Sequence, residues 1–150
     1  MMILCPHFLI DIMKNLVIIG AGGMGRTIFD VARESIGYGI EYTIKGFIDD
    51  NLSALDGFED YPPMLGTISH YLPEVDDVFT FSIGGESRRV CIEYLMERNA
   101  KFINIVHSTA RIGSNVRMGE GNVIGAFTSL GADLSIGSYN MIKSYTVIGH

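Results

Sequence analysis

The chain has 150 residues, of which 47% are hydrophobic, and it carries a formal net charge of −6. This length suits one ordinary domain or two small ones, and the apolar content is sufficient for a packed core. The acidic balance argues against a nucleic-acid-binding protein, and no run of the sequence has the length of a membrane span. Because Cys5 and Cys91 lack the spacing of a disulfide framework, we expect a reducing, cytoplasmic location.

Residues 1–13 are predicted to be an extension that precedes the first domain. They are apolar but lack the basic segment and the small-residue cleavage site of a signal peptide. Met13 directly precedes Lys14-Asn15 and the first convincing strand, so it is a plausible second start of translation. We therefore expect the extension to be either an upstream start or an additional strand or arm that packs on a partner.

A glycine-rich turn joins the first predicted strand to the first predicted helix. Residues 16–19 are wholly apolar, as in a parallel strand that is buried on both faces, and a helix is predicted over 24–36. Between them, Gly20, Gly22 and Gly25 satisfy the pattern G-x-G-x-x-G. Such a turn presents bare backbone N–H groups at a helix N-terminus, where a phosphate can bind. The alternative is tight strand–helix packing without a ligand.

A second strand is predicted over 42–48, and it ends at the acidic pair Asp49-Asp50. Acidic residues at this point of a doubly wound sheet commonly bind a ribose or base, but they also commonly cap a turn. Residues 51–66 are predicted to be a loop because of their Pro and Gly content. Residues 67–72 are predicted to form a short helix, on which His70 is expected to be a surface or packing residue.

A third strand over 78–83 leads through Gly84-Gly85 into a helix predicted over 87–98. Arg88 lies in the first turn of that helix, where a cation opposes the helix dipole. Either an anion or acid lies nearby, or the side chain is simply solvated. A fourth strand is predicted over 101–106. Since four strands are too few for a complete dinucleotide-binding fold, we expect a mononucleotide-sized ligand.

A six-residue repeat dominates residues 106–150. An aliphatic residue recurs every six positions, and Gly follows it in six of seven cases, with Lys143 as the exception. This period is typical of a hexapeptide parallel β-helix, of which the segment would supply about 2.5 coils, with Gly permitting the corner backbone. The alternative is a run of short hairpins with Gly turns. The aliphatic column is Ile112, Met118, Ile124, Leu130, Ile136, Ile142 and Ile148.

Together these residues resemble the NeuD/PglD-type sugar acyltransferases, the bacterial sialic acid and bacillosamine acetyltransferase family. The resemblance spans residues 14–150 and is specific, because two unrelated modules agree in order and spacing. The matching segments are Val17-Ile-Ile-Gly-Ala-Gly-Gly23, Gly46-Phe-Ile-Asp-Asp50, Leu65-Gly66, Ser82-Ile-Gly84 followed by Arg88, and Val106-His-Ser-Thr-Ala110 with the hexapeptides.

The resemblance implies an α/β, Rossmann-like domain over 14–105 and an incomplete left-handed parallel β-helix over 106–150 that forms a homotrimer. The substrate would be a UDP-activated or sialic-acid-type sugar, and acetyl-CoA would bind between neighbouring prisms as the acyl donor, without a metal. Family members often have His where this chain has Met24, which is a departure from the family's polar contact. The residues implied to face the nucleotide sugar are Gly20, Gly22, Gly23, Asp49, Asp50, Gly66, Gly84 and Arg88.

The resemblance also implies a catalytic histidine at the end of a hexapeptide, a position that corresponds to His150 after Ile148-Gly149. His150 would act as the general base, removing a proton from a sugar amine or hydroxyl as it attacks the thioester carbonyl. His107 is expected to be structural. Because family members continue with an acidic residue and a prism needs further coils and a cap, we expect the chain to be truncated after His150.

Two further functions compete with a sugar acetyltransferase. One is a truncated, non-catalytic module that binds a nucleotide sugar and oligomerises through its prism edges. The other is a small NAD-type dehydrogenase, which rests only on the glycine motif and is disfavoured by the number of strands and by the attached repeats. The sequence does not distinguish transfer to an amine from transfer to a hydroxyl.

Overall fold

The computed structural model describes residues 12–150. The predicted extension over 1–13 lies outside the described residues except for its last two positions. The described chain consists of an α/β part followed by a region of short strands, residues 105–150, which we call the repeat region. Within residues 12–150, no helix is long and apolar enough to cross a bilayer.

A four-stranded parallel sheet forms the centre of the α/β part, with strand order β3-β2-β1-β4. The last four residues of β1 are completely buried, because other elements cover both faces of the sheet. This sheet confirms the predicted Rossmann-like α/β arrangement. Its strands are β1 (Lys14–Ile19), β2 (Tyr42–Ile48), β3 (Met64–Gly66) and β4 (Asp77–Phe81).

Two helices cover opposite faces of this sheet. α1 (Gly23–Arg33) shares an apolar cluster with Leu16 of β1, whereas α2 (Gly85–Met96) shares one with Val17. Alternate residues of a strand point to opposite faces, which is why one strand supplies both clusters. Both helices begin and end earlier than predicted, so Ile36, the last residue of the first predicted helix, lies beyond α1 and is 64% exposed.

The segment between β2 and β4 differs from the sequence prediction. Residues 67–72 form turns rather than a short helix, and the amides of His70 and Tyr71 both donate to the Thr67 carbonyl, at 3.3 and 3.0 Å. Just before them, β3 pairs with β2 as the edge strand of the sheet. Two prolines precede this three-residue strand, and they made it look like a loop in the sequence.

The strand predicted over 101–106 is not a strand of the central sheet. A single parallel bridge joins Phe102 to Phe79 of β4, and regular pairing begins only at Ile105–Val106, within the repeat region. The apolar character of this segment is instead explained by packing, since Phe102 and Ile105 are 5% and 0% exposed.

The repeat region contains eight two-residue strands, each paired in parallel with a strand 18 residues away. They form three sheets, β5-β8-β11, β6-β9-β12 and β7-β10, so three hexapeptides make one layer and successive layers stack. Hairpins would require antiparallel neighbours, and that alternative is wrong. The strands are β5 (Ile105–Val106), β6 (Arg111–Ile112), β7 (Arg117–Met118), β8 (Val123–Ile124), β9 (Ser129–Leu130), β10 (Ser135–Ile136), β11 (Met141–Ile142) and β12 (Val147–Ile148).

A ladder of three asparagines runs through the layers at intervals of 18 residues. Asn104 Oδ1 accepts hydrogen bonds from the backbone and side-chain nitrogens of Asn122, at 2.9 and 3.1 Å. Asn122 Oδ1 accepts the equivalent pair from Asn140, at 2.9 and 3.0 Å. Asn122 is completely buried, so these bonds satisfy a polar side chain that would otherwise destabilise the interior.

The column glycines do not form the corners of the repeat, which corrects the sequence interpretation. A Cβ on Gly113 would lie 2.6 Å from the carbonyl carbon of Gly131, and one on Gly125 would lie 2.6 Å from the Ser144 amide nitrogen. Gly113 and Gly125 are therefore required where layers approach each other. The corners lie three positions after each aliphatic residue, at Asn115, Gly121, Phe127, Asp133, Tyr139 and Tyr145, all with φ between 54° and 70°.

A buried histidine joins the repeat region to α1. His107 is 5% exposed, and its Nδ1 accepts a hydrogen bond from the Thr109 amide at 3.1 Å. Its Nε2 therefore carries the proton and donates to Glu34 Oε2 at 2.7 Å. Nearby, the Ile36 amide donates to the Val106 carbonyl at 3.0 Å. These contacts agree with a structural role for His107.

Candidate functional site

The glycine loop between β1 and α1 lies at the carboxyl edge of the sheet. Gly20 has a φ of +95°, and its amide donates to the Ile48 carbonyl at 2.8 Å. A Cβ on Gly20 would lie 2.4 Å from Ser82 Oγ, and one on Gly25 would lie 2.0 Å from the Gly20 carbonyl oxygen. Both glycines are therefore required for the close approach of strand and helix.

Gly22 and Gly23 differ from these two because their α-carbons face open space. A Cβ on Gly22 would meet no atom of the described chain within 4 Å, and one on Gly23 would meet only Arg26 Nη2, at 3.8 Å. Gly22 caps the start of α1 without a side-chain hydrogen bond, and the first turn contains no acidic residue. The positive end of the helix dipole is thus accessible from outside, as an anion site requires.

Asp49 holds together the ends of the three neighbouring strands β1, β2 and β3. Its Oδ2 accepts a hydrogen bond from the Ala21 amide and its Oδ1 one from the Asn51 amide, both at 2.8 Å. Its own amide donates to the Gly66 carbonyl at 3.1 Å. The structure therefore brings Asp49 next to the glycine loop and next to Gly66, as a ligand site at this edge would require.

Asp50 lies beside Asp49 and is more exposed. Its Oδ1 accepts a hydrogen bond from the Ile68 amide at 3.1 Å, which fixes the turn that follows β3. Its Oδ2 has no hydrogen-bond partner within residues 12–150. One oxygen of Asp50 thus orders the site, and the other is available to a hydroxyl or amide donor of a ligand.

Ser82 also belongs to this site, although only its segment, and no role for its side chain, was predicted. Its hydroxyl lies 2.8 Å from the Ile19 carbonyl and 3.0 Å from the Gly20 carbonyl, and its amide donates to Ile19 at 2.8 Å. It therefore holds the glycine loop against the end of β4. A small hydroxyl residue at the otherwise apolar end of the third predicted strand, over 78–83, was the available signal.

Gly84 and Arg88 belong to the start of α2. Gly84 precedes the helix, is exposed, and would accept a Cβ without contact in the described chain. Arg88 is half-buried: its Nη2 donates to the Tyr139 carbonyl in the repeat region, and its guanidinium carbon lies 4.7 Å from the centroid of the Phe81 ring. The Arg88 guanidinium, which opposes the helix dipole in the first turn of α2, is thus contacted by a backbone carbonyl and an aromatic face.

Tyr139 is itself fixed at this junction. Its hydroxyl donates to Glu120 Oε1 at 2.9 Å, and its ring packs edge-on against Phe102 with centroids 5.3 Å apart. Burial, together with the Glu120 carboxylate, raises the pKa of Tyr139 to about 12. The hydroxyl therefore stays protonated at neutral pH and remains a donor.

A groove of about 280 Å³ separates α1 from the repeat region. Its walls are mainly apolar, and it begins directly after the glycine loop, at Met24, whose side chain is 39% exposed. Met24 provides no hydrogen-bond donor there. The residues that define the groove include Thr27 and Ile28 of α1 and Val123, Met141 and Lys143 of the repeat region.

His150 lies directly after β12 and is exposed. Its amide nitrogen stacks on Gly131 of the preceding layer, where a Cβ would come within 3.1 Å. No hydrogen bond within the described part of the chain joins the His150 side chain to the glycine loop or to Asp49-Asp50. A single chain therefore gathers the predicted nucleotide-facing glycines and acids at one sheet edge, and it does not gather His150 with them.

No group of three or more His, Cys, Asp or Glu side chains in residues 12–150 is arranged to hold a metal ion.

Comparisons with known proteins agree with this architecture. Residues 15–95 match the family model described as the PglD N-terminal domain. A curated relative, the UDP-N-acetylbacillosamine N-acetyltransferase of Bacillus subtilis (strain 168), is 30% identical over 117 residues, which are 75% of this chain and 51% of the relative. The chain thus spans about half the length of this curated relative.

Two solved structures share the fold over nearly the whole chain. The acetyltransferase domain of PglB from Neisseria gonorrhoeae FA1090, in complex with acetyl coenzyme A, is 23% identical, with a TM-score of 0.75. The match covers 92% of this chain and 65% of that domain. PerB from Caulobacter crescentus, in complex with CoA and GDP-perosamine, is 24% identical with a TM-score of 0.74 and coverages of 93% and 64%.

The matched family model covers more than half of the chain, from β1 almost to the end of α2, and includes the whole glycine loop and the acidic pair. The chain therefore belongs to the PglD N-terminal domain family, which confirms the predicted resemblance to the NeuD/PglD-type family.

Proposed function

We propose that this protein transfers the acetyl group of acetyl-CoA to an amino group on a nucleotide-linked sugar. The observation that carries the proposal is the union, in one chain, of a PglD-type N-terminal domain and parallel strands paired every 18 residues. The relatives with this combination are named as N-acetyltransferases or hold acetyl-CoA or CoA. Their names and ligands support the same donor and the same class of acceptor here.

The nucleotide diphosphate is proposed to bind at the carboxyl edge of the sheet. The open faces of Gly22 and Gly23 and the uncapped start of α1 favour a phosphate group at this point. The free oxygen of Asp50 suits a ribose hydroxyl or a base amide, and Asp49 keeps the loops in place. Gly66 and Gly84 border this surface on either side, which supports their predicted contact with the nucleotide sugar.

We propose His150 as the general base. In this scheme His150 accepts a proton from the sugar amine while the amine nitrogen forms a bond to the acetyl carbon. The C–S bond of the thioester then breaks, and the proton held by His150 passes to the departing sulfur, so that CoA leaves as the thiol. The exposed position of His150 supports a role in which its partners come from outside the single chain.

The remaining assignments concern assembly. We propose that the chain is divided into a nucleotide-sugar domain over 14–105 and a left-handed parallel β-helix over 106–150. We also propose a homotrimer, in which His150 of one copy lies at the nucleotide-binding edge of another. Arg88 is proposed to orient the Gly84 loop through the Tyr139 carbonyl, because its guanidinium faces the repeat region. A cytoplasmic location is also proposed, and it is supported by the proposed donor, acetyl-CoA, and by the cysteine spacing in the sequence.

The test is acetyl transfer by this chain. Purified protein is incubated with acetyl-CoA and UDP- or GDP-linked 4-amino sugars, and released CoA is measured with a thiol reagent. We expect release that depends on the amino sugar and falls by at least about 100-fold in His150→Ala, because a general base contributes roughly 10²–10⁴ in rate.

His70→Ala is the matched control, because His70 is also exposed but lies in the turn after β3, where its Nδ1 contacts only Thr67 and Ser69 hydroxyls. It should retain the activity. The absence of CoA release with every amino sugar tested would refute the proposed reaction, and acetyl transfer to a free sialic-acid-type sugar alone would replace the proposed acceptor.

A further inference from the structure

Arg26 occupies the open side of the glycine loop. Its Nη2 lies 3.8 Å from the position that a Cβ on Gly23 would take, and its Nη1 donates to the Ala21 carbonyl at 3.2 Å. The guanidinium therefore lies beside the first residue of α1, next to the open face of Gly23. One of its five N–H donors is used by this bond.

An aromatic ring from the loop after β2 holds the guanidinium in place. The carbon of the Arg26 guanidinium lies 3.7 Å from the centroid of the Phe58 ring, a face-on cation–π contact. Apart from the bond to the Ala21 carbonyl, the guanidinium forms no hydrogen bond within residues 12–150, so its remaining N–H groups stay available. Arg26 is pre-oriented by the Phe58 ring rather than free to sample many rotamers, which reduces the entropy lost when a ligand binds.

The loop that carries Phe58 is itself well supported. Asp49 Oδ1 fixes the Asn51 amide, Asn51 Oδ1 accepts from the Ser53 amide at 3.1 Å, and the Phe58 amide donates to the Leu55 carbonyl at 3.0 Å. These consecutive turns connect Phe58 to the same Asp49 that holds the glycine loop. The stack of Phe58 on Arg26 is therefore part of the site and not a random surface contact.

The guanidinium of Arg26 has no carboxylate within salt-bridge distance in the described chain. Arg26 takes part in no salt bridge within residues 12–150, and the adjacent turn of α1 contains no acid. A fixed guanidinium beside the positive end of a helix is a repulsive arrangement unless an anion lies between them. A guanidinium fork matches the geometry of phosphate oxygens.

We propose that Arg26, held by Phe58, is a phosphate-binding residue of this site and selects nucleoside diphosphates over monophosphates and nucleosides. The inference rests on the proposed function, since it assigns a further residue to the same nucleotide site. The first-turn amides of α1 would bind one phosphate group, and Arg26 would bind the oxygens on its open side. Phe58 is a positioning residue that acts through Arg26.

The test compares the affinities of UDP, UMP and uridine, with the guanine series in parallel, by calorimetry on the full chain. In Arg26→Gln we expect the affinity for UDP to fall by about 10- to 100-fold, the range of a charge-assisted hydrogen bond. The affinity for uridine should remain unchanged. Arg26→Lys keeps the charge and loses the planar fork, so its affinity for UDP should lie between those of the unsubstituted chain and Arg26→Gln. Phe58→Leu should lower the affinity for UDP by less than Arg26→Gln does.

Arg33→Gln is the matched control, because Arg33 lies on the same helix and also faces an aromatic ring, with its guanidinium carbon 5.0 Å from the centroid of Phe29, but at the far end from the glycine loop. It should bind UDP as the unsubstituted chain does. Equal losses for UDP and uridine in Arg26→Gln, or a loss in Arg33→Gln of the same size, would overturn the assignment. If the unsubstituted chain binds no nucleotide at all, the proposed function itself is refuted, whereas unchanged UDP affinity in a folded Arg26→Gln refutes only the role of Arg26.

Discussion

Replacing Asn122 with Leu should remove the centre of the asparagine ladder while keeping the size of the side chain. Asn122 Nδ2 donates to Asn104 Oδ1 and to the Gly137 carbonyl, at 3.1 and 2.9 Å, and its Oδ1 accepts two bonds from Asn140. Each bond contributes about 1 kcal/mol net, which gives about 4 kcal/mol for the side chain. Since Gly137 is exposed and water can reach its carbonyl, we expect a loss of about 3 kcal/mol.

Urea unfolding followed by circular dichroism measures this loss as a change in the free energy of unfolding. In a chain of this length about 3 kcal/mol corresponds to a fall in Tm of roughly 6–12 °C. Ser135→Ala is the control, since Ser135 is exposed on β10 and its hydroxyl forms no hydrogen bond within residues 12–150. The control should stay within about 0.5 kcal/mol of the unsubstituted chain. A comparably small change in Asn122→Leu would refute the view that the ladder supports the interior.

Two further substitutions test the α/β part. In Gly25→Ala the new Cβ would meet the Gly20 carbonyl oxygen at 2.0 Å, so we expect a loss of about 1–3 kcal/mol in the free energy of unfolding. This loss should be absent in Gly22→Ala, whose Cβ meets no atom of residues 12–150 within 4 Å, and equal stability of the two variants would contradict the reasoning. Burial alone would raise the pKa of Asp77, but hydrogen bonds from Tyr71, the Glu74 amide and Lys45 outweigh it and lower the pKa below its ordinary value. Asp77 therefore stabilises the fold above about pH 4 and loses this effect as the pH falls through its lowered pKa. Accordingly, Asp77→Asn should cost about 2 kcal/mol in urea unfolding at pH 7 and clearly less at pH 2, and a difference that grows in acid would show that the sign is wrong.

The fold was largely predictable because its two signals are local. Aliphatic residues recur every six positions from Ile112 to Ile148, and this period reflects the stacking of three hexapeptides per layer, with Ile124 and Leu130 of the column completely buried. The apolar run before Gly20 likewise predicts a buried parallel strand. The short edge strand β3 was missed because three residues carry too little periodicity.

The candidate site was predictable only in part. The glycines and Asp49-Asp50 follow successive strands, and parallel strands place their carboxyl ends at one edge, so their proximity follows from the order of elements alone. Neither Ser82 nor Arg26 was predicted as a site residue, because a hydroxyl near the end of a strand and a basic residue on a helix are common features. Their importance comes from the atoms that surround them.

The sequence by itself determined the strand–glycine loop–helix unit, the six-residue repeat and the family, because each of these is defined by particular residue types at fixed spacings. Tertiary structure alone decided why the glycines are needed. Gly25 makes room for the Gly20 carbonyl, and Gly113 makes room for the next layer, although neither requires an unusual backbone angle. It also decided the partners of Arg26 and Arg88, namely Phe58 and Tyr139. Such contacts join residues 32 and 51 positions apart, and their existence depends on how whole elements pack, which no local pattern encodes.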